Sequence, residues 1–306
     1  MSSTLARVDG APSHVHSGLA GKIGDYYELT KPRIMYLLLI TTIAAMVMAA
    51  RGIPPLAVTL WTLLGGALAA ASAGTFNCIY DVDIDALMKR TQNRPLPTGR
   101  ISIRNATIFA IALGIASFAI MYLLVNPLAA WLSLAGNVYY VVIYTMWLKR
   151  TTPLNIVIGG AAGSVPPLVG WAAVTHTIGG PALGLFALIF LWTPPHFWSL
   201  ALMTELDYDA ANIPMLPNVS GEERTKREIV YYSIVLVLAS LALYPLHIMG
   251  ALYFGAAAVL GGIFLMDAFK TWRGRADKDY ARRLFRFSLV YLALMCVVMV
   301  IDRIIS

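Results

Sequence analysis

Of the chain's 306 residues, 58% are hydrophobic and only 13% are charged, and the mean hydropathy is +0.70. That balance excludes an ordinary soluble domain and predicts a multi-span membrane protein. The net charge of +7 implies no nucleic acid, because anionic lipid headgroups in the bilayer account for it. Cys78 and Cys296 fall in or beside apolar segments without ligand spacing, which excludes a disulfide framework or a zinc site.

In chain order, residues 1–24 are small, polar and poor in helix formers, with no apolar core of signal-peptide type, and they read as a disordered tail. Residues 25–306 read as one domain. Apolar windows near 34–50, 58–76, 106–124, 128–147, 155–175, 181–203, 229–247, 249–266 and 285–303 each approach the length needed to cross about 30 Å of hydrocarbon. The fold class is therefore all-α: a polytopic bundle of about nine transmembrane helices around a central cavity. Only LYPLHIMGAL, around Pro245, divides the pair at 229–266, so one broken helix there would change the parity. With nine spans, 21 of the 23 Lys and Arg residues fall on one side and Arg51 and Arg303 on the other. The positive-inside bias then places the N-terminus in the cytoplasm.

The second window ends in NCIYDVDIDALMKRTQNRPLPTGR, residues 77–100. If the helix continues past Cys78, Asn77, Asp81 and Asp85 are four residues apart and drift by only about 40° per step, so all three face one way. Asp83 points elsewhere and is expected to pair with Lys89 or Arg90. Carboxylates one turn apart in a low dielectric repel unless a cation lies between them. Mg²⁺, which uses one or two carboxylates plus phosphates and water, fits that need. Lys89, Arg90, Arg94 and Arg100, in a loop stiffened by Pro95 and Pro97, add donors suited to a diphosphate, and Lys149 joins them as a candidate. The simpler reading of Asp81 and Asp85 alone is a membrane-edge helix end with ion pairs.

The sixth window ends likewise. Glu205, Asp207 and Asp209 follow the aromatic run HFWSLALM on the same side, and the two acidic stretches echo each other faintly. Two acidic helix ends over one cavity could hold two Mg²⁺ ions across one diphosphate. His196 follows a helix-kinking Thr-Pro-Pro and, with Trp198, is a candidate contact for an acceptor substrate, although a lone intramembrane His is more often structural. Residues 155–171, NIVIGGAAGSVPPLVGW, place small residues at helical spacing, which favours close helix packing over the other reading, a wall against a bulky flat ligand.

These residues resemble the UbiA superfamily of intramembrane aromatic prenyltransferases over about 26–300. Asn77, Asp81 and Asp85 match its Asn-x-x-x-Asp-x-x-x-Asp motif. The DIDALMKRTQNRPLPTGR continuation, YTMWLKRTTPLNIVIGGAAGSVPPLVGW, and TPPHFWSLAL with DYDAANIPMLP resemble its heme-modifying branch, as does the Tyr27, Lys31, Pro32, Arg33 approach to the first span. Leu206 departs from the pattern, leaving Glu205 or Asp209 as companion to Asp207. The resemblance implies transfer of the farnesyl group of farnesyl diphosphate to the 2-vinyl group of protoheme IX with Mg²⁺ as cofactor. It also implies metal contacts from Asp81, Asp85, Asp207 and Asp209, residence in a bacterial inner membrane, and a heme A synthase as a downstream partner. A quinone-precursor prenyltransferase is the related alternative. A cation-coupled transporter is the alternative from another class, and it would place carboxylates at mid-span.

Overall fold

The computed structural model describes residues 18–203, 213–274 and 278–306, and every regular element among them is helical. Helix α1 spans Leu19–Leu29, which corrects the expected tail: residues 19–24 are helical, while 1–17 lie outside the described residues. Tyr26 and Leu29 pack with Cys78, Leu96, Ile101 and Ala106, so burial holds a segment whose own helix signal is weak.

Helix α2, Pro32–Ala50, opens on a proline whose fixed φ suits a first turn. Helix α3, Leu56–Tyr80, leads into the short α4, Val82–Leu87. Helix α5, Ile103–Leu124, is capped by Ser102, whose Oγ accepts from the Asn105 N–H at 3.2 Å. Helix α6, Pro127–Val138, is capped by Asn126 and widens into a π-helix over Tyr139–Leu148 before a closing turn, Lys149–Thr151. Helices α7, Asn155–Gly159, and α8, Ala161–Thr175, make one compound crossing. Helix α9 covers Gly180–Met203, α10 Leu216–Ser220, α11 Glu222–Ala242, α12 Ala251–Arg273 and α13 Lys278–Ile305.

Among the described residues, eight helices have the length and hydropathy to cross a membrane, counting Pro127–Thr151 and Asn155–Thr175 as one each. The expected span at 229–247 is α11, which starts seven residues earlier in a charged run and ends at Ala242. Its apolar part, 229–242, reaches only about 21 Å. Helices α11 and α12 are separate and antiparallel, since Lys226 donates to the Gly274 carbonyl (2.8 Å) at one end and the Tyr253 hydroxyl to the Ser240 carbonyl (3.1 Å) at the other.

Small residues set the helix contacts. A Cβ on Gly65 would lie 2.5 Å from Met121, and Ser117 donates to the Gly65 carbonyl at 2.7 Å, drawing α5 onto α3. A Cβ on Gly170 would lie 2.3 Å from the Thr42 carbonyl oxygen, which fixes α8 against α2. The main core joins α2, α9, α11, α12 and α13 through Met48, Leu185, Trp192, Leu236, Phe264 and Tyr291. Large apolar side chains such as Ile108, Ile115, Leu123 and Val259 face outward, as lipid contact requires. The chain is a multi-pass membrane protein.

Candidate active site

The bundle end that holds the α3–α4 junction collects the polar side chains. The Asp81 N–H donates to the Asn77 carbonyl (3.0 Å) and the Asp85 N–H to the Asp81 carbonyl (2.7 Å), so the helical course continues through a bend at Asp81. Asn77, Asp81 and Asp85 are consequently all buried, at 2%, 1% and 3% exposure.

Two parallel segments then form a ladder. Asn77 Nδ2 donates to Thr145 Oγ1 at 2.9 Å, and four residues further along each segment Lys149 Nζ donates to Asp81 Oδ2. Lys31, in a left-handed conformation (φ 52°) at the start of α2, gives its ammonium to Asn77 Oδ1. That approach needs Gly74, where a Cβ would stand 3.0 Å from the Thr30 carbonyl oxygen. Arg94 Nη1 binds Asp85 Oδ2 at 2.7 Å. Asp81 Oδ1 accepts no hydrogen bond among the described residues, and Arg150 Nη2 stands 4.0 Å from it.

Asp83 pairs with Arg150 rather than with Lys89 or Arg90. The guanidinium forks onto both carboxylate oxygens (2.8 and 2.7 Å), donates to the Tyr80 carbonyl (2.6 Å) and lies 4.7 Å over the Tyr80 ring. Arg150 thereby holds the Asp83 carboxyl at a pKa of about 2, below the usual carboxylate range. Arg100, expected at the diphosphate, instead binds Asp25 (2.9 Å) and Glu28 (3.5 Å), tying the loop to α1. Lys89 and Arg90 are exposed. Of the expected donors, the structure brings Arg94 and Lys149 to the carboxylates. It adds Lys31 and Arg150, whose only sequence signals were the Lys-Pro start of α2 and the basic end of an apolar run, and Thr145, which had none.

Glu205, Asp207 and Asp209 lie outside the described residues. Residues on either side of them, Ala201 before and Ile213 and Met215 after, share one apolar cluster with Ile84 and Met88 of the first acidic segment. Among the described residues no three acidic, His or Cys side chains form a metal cluster. The first segment alone offers two carboxylates, one with an oxygen lacking a donor, which suits an ion completed by phosphate and water. His196 and Trp198 turn away from the carboxylates. His196 Nδ1 pairs with Ser288 Oγ at 2.7 Å, and Trp198 packs edge-on to Tyr232.

An all-helical membrane bundle with a buried Asp pair among cations at one end is the architecture of an intramembrane prenyltransferase. Residues 38–290 match the UbiA prenyltransferase family, and the chain belongs to that family. It is similar to the protoheme IX farnesyltransferase of Synechocystis sp., with 56% identity over 94% of this chain and 91% of that protein. It is likewise 54% identical to the protoheme IX farnesyltransferase of Gloeobacter violaceus, over 94% of each chain. The fold resembles digeranylgeranylglyceryl phosphate synthase (TM-score 0.78, 20% identity, 93% of this chain and 99% of that one). It also resembles a UbiA homologue from Archaeoglobus fulgidus bound to GPP and Mg²⁺ (TM-score 0.61, 19% identity, 90% and 99%). At these identities the solved structures bear on the fold alone.

Proposed function

We propose that this chain transfers the farnesyl group of farnesyl diphosphate to the 2-vinyl group of protoheme IX and releases diphosphate. The observation that carries the reading is the 56% identity, over nearly the whole chain, to a protein named for that reaction. The buried carboxylates, with Arg94, Lys149 and Arg150 beside them and Lys31 on the neighbouring Asn77, supply chemistry that fits it. The allylic C1–O bond of the donor breaks and its electron pair leaves with diphosphate. The allylic carbon then bonds to the terminal vinyl carbon, and the cation left beside the macrocycle takes up water, which loses a proton, giving a hydroxyethylfarnesyl group.

Asp81 and Asp85, joined by Asp207 and by Asp209 or Glu205, would hold Mg²⁺, which when bound supplies counter-charge to the departing diphosphate. Lys31, Arg94, Lys149 and Arg150 would donate to its oxygens, an electrostatic arrangement fixed before reaction. The apolar helices around the site would keep water from the allylic cation until the vinyl group attacks. The site end, with most of the Lys and Arg residues, would face the cytoplasm of a bacterial inner membrane, and a heme A synthase would consume the product. The buried carboxylates among the described residues, Asp25, Asp81, Asp85, Asp267 and Asp302, all lie within two turns of a helix end, which argues against a mid-membrane cation path.

The test is turnover by the full chain in nanodiscs with protoheme IX, farnesyl diphosphate and Mg²⁺, read by mass spectrometry of the extracted heme. Farnesylated heme is expected, and Asp81→Ala and Asp85→Ala are expected to abolish it. Unchanged turnover in those variants refutes the site assignment. Prenylation of 4-hydroxybenzoate in place of heme refutes the acceptor.

A further inference from the structure

Ser288 on α13 is fully buried and makes three hydrogen bonds. Its carbonyl accepts from Trp192 Nε1 at 2.7 Å, its hydroxyl donates to the Phe285 carbonyl at 2.7 Å, and its Oγ meets His196 Nδ1 at 2.7 Å. A serine hydroxyl has one proton. With that proton on the Phe285 carbonyl, Oγ can only accept from His196, so Nδ1 carries the imidazole proton and Nε2 keeps its lone pair. No hydrogen bond to Nε2 occurs among the described residues. The ring lies between Trp192 (centroids 4.1 Å apart, planes at 18°) and Phe285 (4.8 Å, 23°), which confines it to its own plane.

A neutral imidazole whose Nδ1–H is tied to an oxygen is the arrangement in which histidine ligates a metal through Nε2. Phe197 and Ala201, on the adjoining face of α9, pack with Ile84 and Met88, so His196 lies at the depth of the acidic segment. We infer that Ser288 is a positioning residue, which locks His196 as the Nδ1–H tautomer and presents Nε2 as an axial ligand to the iron of the porphyrin substrate. This rests on the proposed function for the identity of the substrate. It explains why a histidine that does not face the carboxylates is held by a dedicated serine and two rings.

Two measurements on the full chain in nanodiscs test it. In the first, ¹⁵N-histidine spectra of the substrate-free protein, assigned by comparison with His196→Gln, are expected to show a protonated Nδ1 and a bare Nε2. Ser288→Ala is expected to mix the tautomers. A protonated Nε2 in the unsubstituted chain overturns the proposal. In the second, protoheme is titrated and its absorption and resonance Raman spectra are recorded. A histidine-ligated spectrum is expected, lost in His196→Gln, recovered there by added imidazole, and weakened about tenfold in apparent affinity in Ser288→Ala. An unchanged spectrum in His196→Gln overturns the ligand role. If the unsubstituted chain neither binds nor farnesylates protoheme, the functional reading falls together with the ligand role, while the nitrogen spectra still decide the tautomer.

Discussion

Replacing Lys149 with Met tests whether the internal cations stand in for metal at the carboxylates. Asp81 is 1% exposed, and the Lys149 side chain retains 16% exposure. Removing one partner of a buried pair typically costs 3–5 kcal/mol, because the other charge stays buried and uncompensated. Lys149 is not wholly buried and Arg150 remains 4.0 Å from Asp81 Oδ1, so the low end, about 3 kcal/mol, is expected. The assay is thermal loss of helical circular dichroism in nanodiscs, with and without Mg²⁺ plus inorganic diphosphate. Without them the Met variant should melt well below the parent. With them the gap should narrow, because a bound cation restores charge to Asp81 and linkage favours the folded state. Turnover should fall by about 100-fold or more even where stability recovers, through the lost donor to the leaving group. Equal melting of variant and parent, or equal gains from Mg²⁺ and diphosphate, would refute the reasoning.

Gly170→Ala should destabilise by about 3 kcal/mol, the upper end for overpacking, since the new methyl meets the backbone oxygen of Thr42, which no rotamer can move; chemical unfolding of the variant checks it. Asp302 accepts from the Gly250 N–H (2.5 Å) and the Tyr253 N–H (3.0 Å), capping α12 from another helix. Asp302→Ala should therefore cost about 2 kcal/mol and raise hydrogen exchange at those two amides. The Asp83–Arg150 pair gives acid lability: the folded pKa of Asp83 is about 2 against 3.8, so its stabilisation is present above pH 3.8 and is lost as pH falls towards 2. Asp83→Asn should flatten that part of a stability-versus-pH curve, and an identical curve would contradict the pairing.

The crossings were legible because apolar length is a local property, and so was the common face of Asn77, Asp81 and Asp85, which follows from helical geometry alone. What failed was pairing at long range. Arg100 was expected at the site because it lies in the same loop as Arg94, yet Asp25, 75 residues away, claims it. Asp83 was expected to use a cation in its own loop, and Arg150, 67 residues on, reaches it instead. Helix α1 was missed because its stability comes from the surface it covers. The π-helix carries no compositional mark: YYVVIYTMWL reads as ordinary apolar helix. Ser288 is a single small residue in an apolar run, and only the approach of α9 gives it a role.

The two rungs that join α3 to the π segment share one offset, 68 residues, in Asn77–Thr145 and in Asp81–Lys149. Loss or gain of one residue anywhere between them would shift both rungs at once, uncoupling Lys149 from Asp81 however well the remaining apolar surface repacked. Substitutions on the lipid-facing sides of these helices are under no such restriction. The protein should therefore accept wide drift in its greasy exterior while the count of residues along this stretch stays frozen.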